Sequence, residues 1–140
     1  MVNRGFEIGL SEVAMHEQVG LLAYSPLAQG TLTGKYLGGQ MPQGSRLALF
    51  GDGPLMMRYK GDKTQQAIEM YVNLAKKYEI DPAQLAIQFC NIQPFVTSTI
   101  IGATTMEQLK TCIDSVDLDI TKEIINEIRS IHKEIPNPAP

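Results

Sequence analysis

Apolar residues recur at intervals of three and four in five segments, which is the spacing of one face of an α-helix. The pattern predicts a helix over Phe6–Val19, further helices that begin near residues 62 and 81, one over 104–116, and a last one after Thr121. The side chains expected in the core are Leu10, Val13 and Ala14; Ile68, Val72, Ala75 and Tyr78; Leu85, Ala86, Phe89 and Cys90; Met106, Leu109, Ile113 and Val116; and Ile124, Ile125, Ile128 and Ile131.

Polar residues at the ends of these segments have the character of helix caps. A Ser, Thr, Asp or Asn followed three residues later by Glu or Gln forms a capping box, in which both side chains satisfy free backbone N–H groups. This spacing predicts N-caps at Asp62, Asp81 and Thr104, and Thr121 is a further cap. Gly20 has the character of the residue that follows the first helix.

Two runs without helical spacing predict strands at 21–24 and 95–101. The first is apolar on both faces, as a buried parallel strand is, and the second is rich in β-branched residues and predicts another buried strand. Helices separate them, so the prediction is an α/β fold with parallel connections. A sheet of two parallel strands leaves both edges unpaired. We therefore expect residues 1–140 to be a single partial domain that belongs to a larger sheet or barrel.

The stretch between the first strand and the helix near residue 62 is interrupted repeatedly by glycine and proline. Breaks are dense over 33–61, where we expect at most short helical pieces. The long loop as a whole runs over about 25–62, and loops of this length are usually functional or mobile.

Composition narrows the possible partners. The chain has 140 residues, 44% hydrophobic and 19% charged, with a formal net charge of -3. This balance gives no general attraction for nucleic acid or for an anionic membrane. No apolar run reaches the length of a membrane span, and the first residues lack a signal-peptide core, so the cytoplasm is favoured. Cys90 and Cys112 do not form a disulfide framework, and His16 and His132 lack metal-ligand spacing.

Each strand is followed by a loop of small residues that is suited to an anion. After the first strand come Ser25, Gly30 and Gly34, with cationic Lys35 and Arg46 further on. After the second, Gly102 leads to Thr104 and a new helix N-terminus. Backbone N–H groups, helix N-termini and cations together favour a phosphate group. The alternative is two ordinary turns with solvated cations, and spacing alone leaves it open.

Two better-known nucleotide motifs do not fit. Gly30-x-x-x-Gly34-Lys35 is one residue shorter than a P-loop, and Tyr36 stands where a P-loop has a magnesium-binding Ser or Thr. A Gly-x-Gly-x-x-Gly run is also missing, so a doubly wound dinucleotide fold is not supported.

The same motifs resemble the C-terminal part of the aldo-keto reductases. The resemblance rests on Tyr24-Ser-Pro-Leu-Ala-x-Gly30, Gly34-Lys35, Ser45-Arg46 and Ile101-Gly-Ala-Thr-x-x-x-Gln108-Leu, in that order. It implies an α/β fold that is the C-terminal part of a (β/α)8 TIM barrel, incomplete, with about two parallel strands. It also implies an NADP(H) cofactor and hydride transfer to aldehydes or ketones.

The resemblance assigns roles to individual residues. Tyr24 packs against the nicotinamide, and the loop from Ser25 to Gln29 wraps the pyrophosphate. Around the phosphates and the adenosine end lie Lys35, Arg46, Gly102, Thr104 and Gln108. The cofactor-binding set is therefore Tyr24, Ser25, Pro26, Leu27, Ala28, Gln29, Lys35, Arg46, Gly102, Thr104 and Gln108.

The sequence also departs from the family in three ways. The family's catalytic Asp, Tyr, Lys and His lie on early strands that this chain does not contain, so no catalytic residue is assigned. Cys112 stands where the family often has Asn, with Thr111 near the position of an acid. Gly44 stands where some members place a Tyr over the cofactor.

Three functions remain open at this point. The chain is the cofactor-binding part of a reductase, inactive alone, whose carbonyl substrate needs an intact barrel. Alternatively, it is a non-catalytic nucleotide-binding or interaction module. The third interpretation is a truncated gene product that self-associates through exposed barrel edges.

Overall fold

The computed structural model of the chain describes residues 1–51 and 53–140, with residue 55 described by its backbone alone. Residue 52, within the predicted long loop, lies outside the described residues. The elements in chain order are α1 (Leu10–His16), β1 (Leu21–Tyr24), α2 (Arg46–Phe50), α3 (Pro54–Met57), α4 (Asp62–Lys77), α5 (Pro82–Asn91), β2 (Val96–Ile100), α6 (Met106–Asp114) and α7 (Lys122–Glu134). Short 3-10 segments cover Gly5–Glu7, Ala28–Thr33, Leu37–Gly39 and Ser115–Asp117.

The two strands pair in parallel, as the sequence predicts. Leu22 lies opposite Ser98 and Tyr24 opposite Ile100, with an irregularity in the register between Leu21 and Leu22. Among the described residues these two strands form the whole sheet. The predicted α/β class with two parallel strands is therefore confirmed.

The core lies among α4, α5, α7 and the segment after β1. Ile68 and Val72 of α4, Leu85 of α5 and Ile128 of α7 are almost completely buried. The predicted faces of α4 and α7 are therefore largely correct. Tyr78 and Ile125 are only partly buried at the margin of this core.

The first predicted helix is shorter than its apolar pattern. Residues 6–19 divide into a 3-10 turn and α1, which ends at His16. The residue that leaves the helix in the left-handed region is Gln18, with φ 56°, so the assignment of this role to Gly20 is wrong. Gly20 has a steric role instead, because a Cβ there would lie 1.6 Å from the Thr97 hydroxyl oxygen.

Two of the four predicted caps are displaced by one residue. Asp62 is the first residue of α4 and Gly61 is its N-cap, because the Gln65 side chain donates to the Tyr59 carbonyl instead of reaching back to a cap. Thr105, and not Thr104, caps α6 and accepts from the Gln108 N–H.

The remaining caps are where the pattern puts them. The Asp81 carboxylate accepts from the N–H groups of Ala83 and Gln84, with Pro82 as the first residue of α5. The Thr121 hydroxyl accepts from the Ile124 N–H at the start of α7.

Several side chains expected in the core are exposed. On α6 the exposed residues include Met106 and Ile113, while the buried residue is Cys112, and Val116 is exposed in the 3-10 segment that follows. Both strands are only half-buried, and Leu10 and Val13 of α1 face outward. Cys90 is also only partly buried. The physical reason is that no described element packs over the outer side of the sheet or of these helices.

The segment between Thr33 and Gly61 contains only short helical pieces among its described residues, as predicted. The longest of them is α2, with five residues.

Candidate functional site

The two predicted turns leave the same edge of the sheet. β1 and β2 run in parallel, and their last paired residues are Tyr24 and Ile100. The carboxyl ends of parallel strands meet at one edge, which is where barrel folds bind ligands. Ser25 and Ile101 follow these strand ends directly, so one ligand can reach both turns.

The first turn contains an unusual run of left-handed backbone. Ser25, Ala28 and Gln29 have φ of 55°, 50° and 60°, although none of them is glycine. Such conformations cost of order 1–3 kcal/mol each and persist where the surroundings hold them. Clusters of this kind are typical of ligand sites, and the short 3-10 segment over Ala28–Thr33 is bent at this point.

Several N–H groups of this turn are already engaged. The Ala28 N–H donates to the Ser25 carbonyl at 2.9 Å, and the Gly30 N–H donates to the Leu27 carbonyl at 2.8 Å. The Gln29 N–H makes only a long bond, 3.4 Å, to the Ser25 hydroxyl. The expectation that the whole loop presents free donors is therefore too simple, and the weakly held group is at Gln29.

The Gln29 side chain carries an unsatisfied acceptor. Its Oε1 atom is buried and has no hydrogen-bond partner among the described residues. A buried acceptor without a partner is costly, so this atom needs a donor from an ordered water or from a bound molecule.

Lys35 packs against the first turn. Its ammonium lies 5.1 Å from the centre of the Tyr36 ring. A Cβ at Gly30, which has φ of 89°, would come within 3.0 Å of the same ammonium. Two features therefore favour glycine at position 30, the positive φ and the close approach of Lys35. Without a side chain at this position, the lysine lies directly on the turn.

Arg46 is connected to this site through its neighbour. The Tyr36 hydroxyl accepts from the Leu47 N–H at 3.4 Å, and Ser45 caps α2 by accepting from Ala48. These contacts hold the first residue of α2 beside the segment that carries Lys35. The Arg46 side chain itself is exposed to solvent.

The second turn is open to solvent. Nothing lies within 4 Å of a Cβ built on Gly102, so a ligand has room there. The Gln108 carboxamide oxygen folds back and accepts from the Thr104 N–H at 3.0 Å and from its hydroxyl at 3.1 Å. Both donors of Thr104 are thus held by an exposed side chain that solvent or a ligand can replace.

The predicted residues divide by where their side chains lie. Tyr24, Arg46, Gly102, Thr104 and Gln108 are exposed, while Ser25, Pro26, Gln29 and Lys35 are partly buried. Ala28 belongs to the core and Leu27 packs against it, so only the backbone of these two residues can face a ligand.

The sequence analysis missed Tyr59 as a residue of the core, although it is buried in the main cluster. Burial raises the pKa of Tyr59, and the neighbouring Arg58 and Ser25 oppose the rise. Its sequence signal is weak, since Tyr59 stands in a glycine-rich stretch without periodicity.

The rest of the described chain offers little competing chemistry. No group of three or more His, Cys, Asp or Glu side chains lies together among these residues, as a metal site would require. Burial raises the pKa of both Cys90 and Cys112, which keeps them as thiols. Burial also lowers the pKa of His132, with a smaller contribution from Arg4. None of the helices in the described ranges has the length and apolar character to cross a bilayer.

Comparison with known proteins places these features in a family. The sequence profile of the aldo/keto reductase family matches residues 1–133. Protein tas of Escherichia coli K12 is 49% identical over 140 residues, which is 100% of this chain and 40% of that protein. A probable voltage-gated potassium channel subunit beta of Oryza sativa is 35% identical over 120 residues, which is 84% of this chain and 37% of that protein.

A solved structure has the same fold. A glycerol dehydrogenase from Gluconobacter oxydans superposes with a TM-score of 0.71 at 21% identity, covering 96% of this chain and 40% of that one. The α/β fold of this chain thus resembles part of the aldo-keto reductase barrel. The chain spans about 40% of the length of protein tas and of the solved dehydrogenase.

Proposed function

Because the chain belongs to the aldo/keto reductase family, we propose that it is the NADP(H)-binding part of an oxidoreductase that reduces aldehydes or ketones. The observation that carries this proposal is the parallel pairing of β1 and β2, which brings the turns after Tyr24 and Ile100 to one edge. In the proposed complex the diphosphate lies between these turns.

The chemistry of the two turns fits a ligand rich in negative charge. Lys35 supplies an ammonium against the first turn, and Arg46 supplies a guanidinium that can hold a phosphate with two hydrogen bonds. Thr104 offers an N–H and a hydroxyl at the second turn, and the space beside Gly102 admits the ligand. The chain as a whole has a net charge of -3, so the positive charge of Lys35 and Arg46 is a local feature. This favours a defined anion site over general attraction of anions.

The Gln29 carboxamide fits the polar part of the cofactor. Its orphaned Oε1 accepts a hydrogen bond, and the ribose hydroxyls and the nicotinamide carboxamide are donors. Tyr24 stands at the end of β1 with its ring largely exposed, so in our proposal it supports the nicotinamide face.

When bound, the cofactor supplies a hydride. The residues of this chain bind and orient it, and we assign none of them to the proton transfer to the carbonyl oxygen. A carbonyl substrate therefore acts in our proposal only where a complete barrel surrounds the cofactor. The two free cysteines favour a reducing cytoplasm as the compartment.

Titration of the chain with NADPH, followed by cofactor fluorescence, tests the proposal. We expect saturable binding that weakens with salt, because phosphate contacts are charge-assisted. Replacing Arg46→Ala should weaken NADPH binding by about ten-fold or more, as loss of one charged hydrogen-bonding partner does. The matched control is Arg129→Ala, an exposed arginine on α7, which should bind normally.

Two results would define the Arg46 contact and test the proposal as a whole. An Arg46→Ala loss that is larger for NADPH than for NADH identifies a contact with the ribose phosphate. Absence of saturable binding at millimolar NADPH by the folded chain would overturn the proposal.

Nucleotide binding without reduction is the second candidate. It is favoured by the first turn, because the strained residues and the orphaned acceptor form a ligand site that does not depend on an acid–base pair. A turnover assay with NADPH and a panel of aldehydes and ketones separates the two in a complete barrel that contains this chain, where the first candidate predicts carbonyl reduction and the second predicts none. From this chain alone both candidates predict only background rates, while saturable carbonyl reduction would require catalytic residues within it.

A further inference from the structure

Tyr36 contacts both segments that carry the cations of the proposed anion site. It follows Lys35 directly in the chain and is only 7% exposed. The Lys35 ammonium lies over its ring, 5.1 Å from the ring centre. Its hydroxyl accepts from the N–H of Leu47, the residue after Arg46. One buried side chain therefore reaches the lysine with its ring and the neighbour of the arginine with its oxygen.

The hydroxyl end of Tyr36 helps to fix the start of α2. The first N–H groups of a helix have no partner within the helix. The buried Ser45 takes one of them, because its hydroxyl accepts from the Ala48 N–H at 3.2 Å, and Tyr36 takes the Leu47 N–H at 3.4 Å. A helix of five residues is too short to be stable alone, so such contacts determine where the backbone of Arg46 lies.

The ring end of Tyr36 lies beside the first turn. A Cβ built on Gly30 would come within 2.9 Å of the Lys35 Cε atom and 3.8 Å of a carbon of the Tyr36 ring. An ammonium close to an aromatic ring is attracted by its electrons. The Lys35 N–H also donates to the Thr33 hydroxyl at 3.4 Å. The lysine is thus held against both the turn and the ring.

The segment around Tyr36 is itself fixed to the core. Gly34 has φ of 80°, and a Cβ there would lie 3.0 Å from the Val72 side chain of α4. Leu37 packs against the main core cluster. The tyrosine therefore joins the two cation-bearing segments to a rigid part of the fold.

We propose that Tyr36 is a positioning residue of the anion site, which holds Lys35 through its ring and the start of α2, with Arg46, through its hydroxyl, so that both cations meet the same anion. The inference rests on the proposed cofactor binding. It concerns a residue that acts through the two cations and does not itself bind the cofactor.

Tyr36→Phe tests the hydroxyl, because it keeps the ring. We expect NADPH affinity to fall about two- to five-fold, as for the loss of one neutral hydrogen bond. In an Arg46→Ala background the same change should cause no further loss, since the hydroxyl acts through Arg46. In a Lys35→Met background it should cost as much as in the unmodified chain.

Tyr36→Leu tests the ring. We expect it to weaken NADPH binding more than Tyr36→Phe does, and the additional loss should vanish in the Lys35→Met background, because the ring acts on the ammonium. If Tyr36→Leu does not fold, the measurements on Tyr36→Phe decide the role of the tyrosine alone.

Tyr78→Phe is the matched control. Tyr78 also lies beside a lysine, with the Lys77 ammonium 5.1 Å from its ring centre, and its hydroxyl also forms a hydrogen bond, which it donates to Glu127 of α7. Because these partners belong to α4 and α7, NADPH affinity should stay that of the unmodified chain. A loss in Tyr78→Phe equal to that in Tyr36→Phe would mean a general effect of tyrosine hydroxyls and would overturn the role.

A second measurement needs no ligand. Backbone NMR order parameters at Arg46 and Leu47 should fall in Tyr36→Phe, while those of α4 should stay as in the unmodified chain.

The outcomes separate the two claims. If the unmodified chain binds NADPH and Tyr36→Phe binds equally well with unchanged order parameters, the positioning role is overturned and the proposed function stands. A loss that adds fully to that of Arg46→Ala would also overturn it. If the unmodified chain does not bind NADPH, the proposed function fails, and the order parameters at Arg46 and Leu47 then decide whether Tyr36 holds α2.

Discussion

Gly20 illustrates how one residue can control the geometry of a site at the far end of its strand. It immediately precedes β1, and the Thr97 side chain of β2 fills the space that a Cβ would need. The pairing of the two strands begins directly after it, with Leu21 opposite Val96. Sequence reasoning assigned Gly20 to a helix end, because glycine marks both left-handed turns and close approaches, and a pattern cannot distinguish them.

Replacing Gly20→Ala should destabilise the chain by about 1–3 kcal/mol, since a Cβ here overlaps the Thr97 hydroxyl and must displace it. Chemical denaturation measures the change. Gly102→Ala is the matched control, because a Cβ there meets nothing within 4 Å, and its unfolding free energy should stay within about 0.5 kcal/mol of the unmodified chain. Adding Thr97→Gly should restore much of the stability that Gly20→Ala loses. An unaffected Gly20→Ala variant would contradict the close approach.

At the scale of elements, the sequence predicted which helices and strands exist better than where they begin. Asp81 and Thr121 cap their helices as expected because their own side chains reach the first free N–H groups. The caps of α4 and α6 lie one residue away from the predicted positions, and the glutamine side chains near them bind other groups. The Gln65 side chain donates to the Tyr59 carbonyl, and the Gln108 carboxamide oxygen accepts from Thr104. Such choices depend on groups outside the helix, which a spacing rule does not contain.

The shifted cap of α6 gives a prediction. Thr105→Ala should cost about 1 kcal/mol of unfolding free energy, because it removes the acceptor for the Gln108 N–H. Thr104→Ala should cost less, since its hydroxyl bonds only an exposed side chain. Urea denaturation of the two variants side by side makes the comparison. The reverse order of the two costs would support the cap that the sequence pattern first suggested.

For the whole molecule, the sequence predicted the α/β class, the parallel pairing and the resemblance to the aldo-keto reductases, which the profile match confirms. It could not predict the burial of Tyr59 in the main core, because this residue lies in a glycine-rich stretch without periodicity. It also assigned core positions to apolar residues that are exposed. Among them are Val13 of α1 and Ile113 of α6, while Leu22 of β1 lies in a strand that was expected to be buried on both sides.

These exposed apolar residues predict self-association. A sheet with free edges and apolar neighbours favours contacts between copies, because burial of about 100 Å² of apolar surface contributes roughly 2.5 kcal/mol. We expect sedimentation velocity to show a concentration-dependent increase in mass. Leu22→Glu should reduce the association, whereas Asn73→Glu on the exposed side of α4 should not. A concentration-independent monomer would remove the prediction.

In the complex that we propose, the contact between Gln108 and Thr104 makes anion capture at the second turn a displacement reaction. A phosphate oxygen there would accept the two hydrogen bonds that Thr104 now donates to the Gln108 carboxamide oxygen, so the number of hydrogen bonds at Thr104 would not increase. The released carboxamide would then have its own NH2 group to donate to the anion. Occupancy of this turn would be governed by competition between an internal amide and an external anion, and the length of the side chain at position 108 would set the concentration at which the anion prevails.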